Sequence, residues 1–425
     1  MKEDFIHYLW KFKKFNWKEL YTTDQSKLTI INIGKHNTEA SGPDFLNAQI
    51  GIGDEKWAGN VEMHLKSSDW YAHKHEQDPA YDNVILHVVW DYDVDVFRKD
   101  GSSIPTLEIA NFTDKDQLDK YQTLIQKQPQ DWIYCGSSFA KFDDFLLESW
   151  LERVYIERLE EKSTLIYQLL EKSTNNWAEV LFKLLAKNFG LNVNGSIFLQ
   201  MADSIPFSVI RKIAENQTRL EALFFGQLNM LNDPLEEPYY VNLQKEYAFL
   251  KHKYQLENAL QQKPQFFRLR PGNFPTIRIA QLAALYHRQK DLFKTFAYAS
   301  DLDTLKSSLK VQPSEFWKSH YNFSATSKKS SKQLTSKFIN LLLINTFVPF
   351  RFAYARYKGK DENEFLLECM QSIPSEKNQI ITKFESLRKG VSKNALHSQS
   401  LKQLKTQYCE KQRCMSCNLG IAYLK

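Results

Sequence analysis

The periodicity of apolar residues changes near residue 135, and this change limits the folds that the chain can adopt. Before it, short β-branched runs alternate with Gly, Asn and Ser turns, a pattern typical of strands. The strand candidates are Lys27–Ile33, Phe45–Ile52, Trp57–Lys66, Asn83–Trp90 and Ile104–Ile109. After about Phe139, apolar residues recur at helical spacing with charged residues on the other face. We therefore predict an α+β protein, with an α/β domain at residues 1–135 and a large all-α domain at residues 136–425.

The order of elements in the first domain follows from the same patterns. Glu3–Phe15 has the spacing of an amphipathic helix and precedes the first three strand candidates. Ser67, Ser68 and Asp69 form a plausible helix start, so a short helix is expected at Trp70–Glu76 before the last two strands. The predicted domain is a mixed sheet flanked by helices.

Length and hydropathy favour a soluble, cytoplasmic protein. A chain of 425 residues is too long for one ordinary core, so two or three domains are expected. Charged residues among the aromatics of Met1–Phe15 argue against a secretory signal. The most apolar run, Phe338–Phe350, has 13 residues, whereas a membrane span needs roughly 20. We expect this run to be a buried helix, and we expect no membrane association.

Acidic and basic side chains lie on two segments that otherwise have the pattern of buried strands. Because side chains alternate along a strand, Glu62, His64 and Lys66 share one face of Trp57–Lys66. A turn near residues 53–55 would pair this strand with Phe45–Ile52 and carry Asp44 toward Glu62. Two carboxylates at one place repel each other unless a cation lies between them, and Mg²⁺ prefers such oxygen ligands. A neighbouring base, His64 or Lys66, would then activate the attacking water.

Pro43-Asp44 followed by Glu62-x-His64 resembles the motif of the PD-(D/E)XK nuclease superfamily, whose core has the same order of elements. The resemblance implies a metal-dependent nuclease that hydrolyses phosphodiester bonds in nucleic acid, DNA rather than RNA. Asp44 and Glu62 would hold Mg²⁺ or Mn²⁺. This chain departs from the motif because His64 stands in place of Lys, although Lys66 on the same face could substitute.

Two alternatives to an active nuclease remain open. The same fold could lack catalysis and serve as a nucleic-acid-binding or scaffold protein, or the domain could be an unrelated α+β domain with an exposed polar strand face. The wider segments "GPDF", "GNVEMHLKSSDW" and "YDNVILHVV" also resemble an uncharacterised bacterial family of unknown function, along most of the chain.

Histidines are concentrated around the predicted site. Five of the ten fall within residues 36–87, at His36, His64, His73, His75 and His87. A His-x-His pair with a distant His can bind zinc. On a helix, however, His73 and His75 would point in different directions. We therefore predict that His73 borders the carboxylate site and contacts phosphate, with a satisfied core histidine as the alternative.

Cysteines cluster near the C-terminus in the pattern C-x4-C-x2-C, at Cys409, Cys414 and Cys417. In a cytosolic chain this spacing favours a metal site over disulfides, and Cys135 is the best fourth ligand. Four thiolates could bind a structural Zn²⁺ or a [4Fe–4S] cluster, which would clamp the helical domain onto the first domain. Some nucleases of the resembled superfamily tie their ends together with such a cluster. The alternative is a set of reduced thiols.

Basic residues are concentrated in two further places. Residues 376–425 hold ten Lys and Arg against three Glu, whereas the whole chain has a net charge of +6. Three arginines, Arg268, Arg270 and Arg278, surround a Pro-Gly-Asn-Phe-Pro loop. Arg clusters and helix N-termini bind phosphate, so we predict that these arginines contact nucleic acid. The alternative for residues 376–425 is an ordinary solvated surface. The alternative for the arginines is a structural role, in which they hold the loop against acidic neighbours.

Overall fold

The structure is a computed structural model, and it describes residues 1–37, 41–126, 132–257 and 262–424. The chain is a mixed α+β protein with two compact units. Unit 1 comprises Met1–Trp150, Lys383–Lys389 and Leu404–Lys425. Unit 2 comprises Leu151–Thr382 and Gly390–Gln403. The C-terminal segment therefore belongs to the same unit as the N-terminus, while the predicted division at residue 135 stays a prediction.

Among the described residues, seven strands form one mixed sheet in unit 1. They are β1 (Leu20–Tyr21), β2 (Lys27–Asn32), β3 (Lys35–His36), β4 (Phe45–Ile52), β5 (Glu55–Lys66), β6 (Val84–Asp91) and β7 (Thr106–Glu108). The order across the sheet is β1-β2-β4-β5-β6-β7, and β3 pairs with β4. The pairs up to β4–β5 are antiparallel, whereas β5–β6 and β6–β7 are parallel.

The β4–β5 hairpin and the crossover that follows it set the positions of the candidate site residues. The hairpin turns at Gly53, whose positive φ of 58° suits glycine. A crossover through residues 67–83 then returns the chain so that β6 runs parallel to β5. In this register Glu62 lies opposite His87.

The helices of the described residues cover the sheet of unit 1 and make up most of unit 2. They are α1 (Glu3–Phe12), α2 (Asp69–Ala72), α3 (Lys115–Gln126), α4 (Gly136–Phe139), α5 (Asp144–Lys172), α6 (Trp177–Phe189), α7 (Leu191–Asp203), α8 (Phe207–Ile213), α9 (Gln217–Gln227), α10 (Pro238–Tyr254), α11 (Pro275–Arg288), α12 (Leu292–Tyr298), α13 (Leu302–Ser308), α14 (Ser336–Leu342), α15 (Val348–Tyr357), α16 (Asn363–Gln371), α17 (Gln379–Leu387), α18 (Ala395–Gln403) and α19 (Asn418–Leu424).

The core of unit 1 lies between α1 and the apolar side of the sheet. Phe5 and Leu9 of α1 are fully buried together with Val61 and Met63 of β5. The same core contains Leu424 from the C-terminal segment. The N- and C-terminal parts of the chain are therefore held in one hydrophobic cluster.

The most apolar helix of the chain is a core helix of unit 2. Residues 336–357 form one continuous helix that is long and apolar enough to cross a membrane, but 83% of its apolar window is buried by the protein. A π-helical stretch at Leu343–Phe347 precedes Pro349, which lacks the N–H for a regular helical hydrogen bond. This burial agrees with the buried helix predicted for Phe338–Phe350, and the cytoplasmic location stays a prediction.

Candidate metal centre

Asp44 and Glu62 lie beside each other across the β4–β5 hairpin. The backbone N–H of Asp44 donates a hydrogen bond to Glu62 Oε2 (3.1 Å). In return, the N–H of Met63 donates to Asp44 Oδ2 (3.0 Å). The Glu62 side chain is 7% exposed and that of Asp44 is 22% exposed, so the pair is sheltered but opens on the Asp44 side.

The surroundings of Glu62 disfavour a free negative charge. Burial, with a further contribution from the charge of Asp44, raises the pKa of Glu62 to about 9. Without a cation, Glu62 therefore holds a proton at neutral pH. A divalent cation next to both carboxyl groups would favour the ionised form and displace this proton.

Helix α1 contributes two residues to this site that the sequence analysis did not single out. His7 Nε2 lies 3.2 Å from Asp44 Oδ2. Burial lowers the pKa of His7, but the hydrogen bond to Asp44 and the nearby carboxylates outweigh it, so the net shift is upward. Burial and the charge of Asp44 raise the pKa of Glu3, one turn earlier on the helix. The spacing of Glu3 and His7, four residues apart and so on one face of this amphipathic helix, was the available signal.

A cluster of histidines lies on the other side of Glu62. His75 Nε2 is 3.4 Å and His64 Nε2 is 3.6 Å from Glu62 Oε1. His64 Nε2 is also 3.1 Å from His73 Nδ1, and its Nδ1 is 2.8 Å from His87 Nε2. His64 thus makes three polar contacts, with Glu62, His73 and His87.

The chain brings His73 and His75 to the same place because α2 is shorter than predicted. The helix expected at Trp70–Glu76 ends at Ala72, and His73 is its C-terminal cap. Lys74 then takes a left-handed conformation (φ 60°), and a 3₁₀ turn begins at His75. The expectation that the two imidazoles diverge was wrong, because it assumed a continuous helix.

The buried histidines are uncharged at neutral pH. Burial, together with the neighbouring imidazoles of His75 and His73, lowers the pKa of His64 to about 3. Burial also lowers the pKa of His75, and it lowers that of His87 well below the ordinary value. Neutral imidazoles keep a lone pair that can bind a metal ion.

Lys66 lies outside this group of contacts. Its side chain is 58% exposed, and its ammonium is 4.0 Å from Asp91 Oδ2. Of the two basic residues predicted to assist catalysis, His64 is therefore the one that lies next to Glu62.

The three predicted nucleic-acid-binding arginines have different environments in unit 2. Arg268 and Arg270 are exposed. Arg278 is buried, donates a hydrogen bond to Gln281 (2.8 Å) and lies 3.5 Å from the ring centre of Phe338. Burial lowers the pKa of Arg278 to about 10. A phosphate-binding role stays a prediction for Arg268 and Arg270, whereas the contacts of Arg278 are those of a residue that fixes the fold.

The four candidate cysteine ligands meet within unit 1. Cys135, Cys409, Cys414 and Cys417 line one small cavity. Burial and the neighbouring thiols raise the pKa of Cys135 and of Cys414 to about 12. The fifth cysteine, Cys369, is buried in α16 of unit 2. Because all four lie in one unit, the expected clamp between two domains is replaced by a contact between the C-terminal segment and the rest of unit 1.

We predict that the metal-free protein loses stability as the pH rises from 7 to 9. The folded state keeps the proton on Glu62 up to about pH 9, whereas the unfolded chain releases it near 4.5, so deprotonation favours unfolding in this window. The melting temperature of chelator-treated protein should fall between pH 7 and 9, and the fall should be smaller in Glu62→Gln. Equal slopes for the two proteins would contradict the prediction.

Comparison with known proteins gives a family but no characterised relative. A family model described as protein of unknown function (DUF2851) matches residues 3–379. Searches of the curated proteins and of the solved structures gave no match. The prediction of an uncharacterised family is confirmed, while the PD-(D/E)XK resemblance stays a prediction. Since the match covers most of its length, the chain belongs to the DUF2851 family of proteins of unknown function.

Proposed function

We propose that this protein is a Mg²⁺- or Mn²⁺-dependent nuclease in which Asp44 and Glu62 hold the ion. The observation that carries the proposal is the pair of hydrogen bonds that holds these two residues side by side across the β4–β5 hairpin. The Asp44 N–H donates to Glu62 Oε2 (3.1 Å), and the N–H of Met63, next to Glu62, donates to Asp44 Oδ2 (3.0 Å). The fold keeps two carboxyl groups together in a sheltered place, although burial disfavours the charge of Glu62. A bound cation would compensate for this unfavourable arrangement.

The chemistry of such a site is metal-assisted hydrolysis. A divalent cation held by Asp44 and Glu62 would polarise a phosphoryl oxygen and lower the pKa of a bound water, so that this water could act as the nucleophile. His64, 3.6 Å from Glu62, is the neighbouring basic group. The antiparallel hairpin followed by a crossover to the parallel strand β6 supports the resemblance to PD-(D/E)XK nucleases, which implies the same arrangement around these motif positions.

Nucleic acid is the proposed substrate, DNA rather than RNA. Exposed Arg268 and Arg270 in unit 2 and the basic segment 376–425 would contact the phosphate backbone. If the site is inactive, the same surfaces would make the protein a nucleic-acid-binding or scaffold protein. Binding that weakens with salt, without cleavage under any divalent metal, would identify this second function.

Replacing either carboxylate should abolish cleavage. We expect Asp44→Asn and Glu62→Gln to reduce the rate by about a thousandfold or more, because each removes a ligand of the ion that activates water. The measurement is cleavage of single- and double-stranded DNA and of RNA with Mg²⁺ or Mn²⁺. Asp91→Asn is the matched control, since Asp91 is an exposed carboxylate that pairs with Lys66. Parental activity in both variants would contradict the assignment.

The two candidate basic residues should differ in their effects. We expect His64→Gln to lower the cleavage rate by about 10²-fold, the lower end of the usual contribution of a general base, because a pKa of about 3 makes His64 a weak base. Lys66→Gln should leave the rate within a few-fold of the parent, because its ammonium lies in solvent next to Asp91. The opposite ranking would show that Lys66 reaches the site when substrate is bound and that His64 is a structural residue.

We also propose that the cysteine cluster binds a structural Zn²⁺ or a [4Fe–4S] cluster. The supporting observation is that Cys135, Cys409, Cys414 and Cys417 line one cavity although some 270 residues separate Cys135 from the other three. A cross-link over such a long loop can stabilise the fold by several kcal/mol, about 5–6 in the entropy model. Its role would be to hold the C-terminal segment against unit 1.

We expect Cys417→Ser to lose the bound metal and to melt several degrees below the parent, because one of the four thiolate ligands is removed. Metal analysis and the visible spectrum of anaerobically purified protein distinguish the two cofactors, since only the iron–sulfur cluster is coloured. Cys369→Ser is the control, and its metal content should equal that of the parent. Parent protein without zinc or iron would contradict the proposal.

A further inference from the structure

Three histidines beside the carboxylate pair have the spacing of metal ligands. Among the residues that the structure describes, His64, His73 and His75 form a group whose ligand atoms all lie within 4.8 Å of one another. They come from two elements, β5 and the crossover after α2, so their meeting is a tertiary feature and not a consequence of local sequence spacing. Of these three histidines, only His64 has a role in the proposed nuclease.

The distances match a small tetrahedral site. Zn²⁺ binds imidazole nitrogen at about 2.0–2.1 Å, which places neighbouring ligand atoms of a tetrahedron roughly 3.3 Å apart. The distances are 3.1 Å from His64 Nε2 to His73 Nδ1 and 3.4 Å from His75 Nε2 to Glu62 Oε1. The distance from His64 Nε2 to Glu62 Oε1 is 3.6 Å. The three imidazoles can therefore share one ion. Glu62 Oε1 lies close to two of them but outside their 4.8 Å group, so its side chain would have to move toward His73 to become the fourth ligand.

We infer that His64, His73, His75 and the Oε1 atom of Glu62 bind a transition-metal dication of the Zn²⁺ class. Imidazole ligands suit Zn²⁺ and its neighbours, whereas Mg²⁺ prefers oxygen ligands. The ion is thus of a different chemical class from the one proposed at Asp44. His73 is exposed, which leaves a side of the site open to water or to a phosphate oxygen.

A second shell of residues orients the central ligand. His64 Nδ1 lies 2.8 Å from His87 Nε2, and His87 is fully buried. If His64 donates through Nδ1, its Nε2 carries the lone pair and faces His73 and Glu62. Metal-binding histidines commonly fix their tautomer through such a contact at the second nitrogen. The ring of Trp70 packs against His75 and His87 and limits their rotation.

Glu62 joins this site to the one at Asp44. Its Oε1 atom faces the histidines, while its Oε2 atom accepts the hydrogen bond from the Asp44 backbone. A carboxylate in this position can bridge two ions, as in phosphoryl-transfer sites with two metals. Metal binding by the histidines is independent of the proposed nuclease activity. A catalytic role for the histidine-bound ion rests on the proposed nuclease activity. In that role, a water molecule bound to the ion would replace His64 as the base.

A hydrogen-bonded relay of imidazoles is the competing explanation for the same contacts. His87, His64 and His73 lie in a row at 2.8 and 3.1 Å and could pass a proton without any ion. The role of His75 distinguishes the two explanations. His75 lies outside the row of three imidazoles and contacts Glu62, so it is needed for a metal site but not for the relay.

The test is zinc binding to the full chain after chelator treatment, followed by calorimetry and metal analysis. The variants His73→Ala and His75→Ala are compared with the parent and with His252→Ala, a control at an exposed histidine of α10. We expect the parent and the control to bind one more Zn²⁺ than either site variant, or to bind that ion about 100-fold more tightly or better. Zinc at the cysteine cluster does not affect the comparison, because that cluster is the same in all four proteins.

Equal zinc stoichiometry and affinity in all four proteins would overturn the inference. Loss of zinc binding in His73→Ala without loss of zinc binding in His75→Ala would also overturn it. Asp44→Asn separates the two proposals. It should retain the histidine-dependent Zn²⁺, since Asp44 is not one of the four ligands, although it should lose nuclease activity. A parent protein that binds this ion but cleaves no nucleic acid would overturn the nuclease proposal alone.

Discussion

The reciprocal hydrogen bonds between Asp44 and β5 are the constraint on which the rest of the site depends. Their geometry requires one register of the β4–β5 hairpin, and apolar packing sets that register. Phe45 lies opposite Val61, and both are fully buried in the core of unit 1. A slip by one residue would turn both side chains to the other face of the sheet. The hydrophobic core therefore holds the two carboxyl groups together, although the charge of Asp44 disfavours ionisation of Glu62.

Because side chains alternate along β5, the strand has an apolar face and a polar face. Val61 and Met63 pack with α1, while Glu62 and His64 point toward the crossover that carries His75. Burying polar groups is unfavourable unless each has a partner, and most of these groups do. An exception is His87 Nδ1, which is buried without a hydrogen-bond partner among the described residues. In so sheltered a site, a cation would interact with the carboxylates more strongly than it does in water.

Strand periodicity was sufficient to predict the central part of this site from sequence. It placed Glu62 and His64 on one face and required a turn that brings Asp44 close, because these are consequences of local geometry. It could not show that Lys66 extends into solvent, since that depends on where the sheet ends. The position of His75 depends on the left-handed backbone at Lys74, and lysine is not a residue that signals this conformation. Likewise, the spacing of the C-terminal cysteines predicted a common site, but only tertiary packing shows that it lies wholly within unit 1.

In the proposed site, the residue at position 64 would determine which cations can bind beside Glu62. A lysine there, as in the resembled motif, would place a positive charge beside Glu62 and would compete with any ion on that side. His64 carries no charge at neutral pH, because burial lowers its pKa to about 3. In the proposed site, the departure from the motif would therefore replace a fixed positive charge beside Glu62 by a neutral imidazole that can bind a metal ion. Since protons and metal ions compete for the same carboxylate, metal affinity at this site should rise with pH until Glu62 ionises near 9.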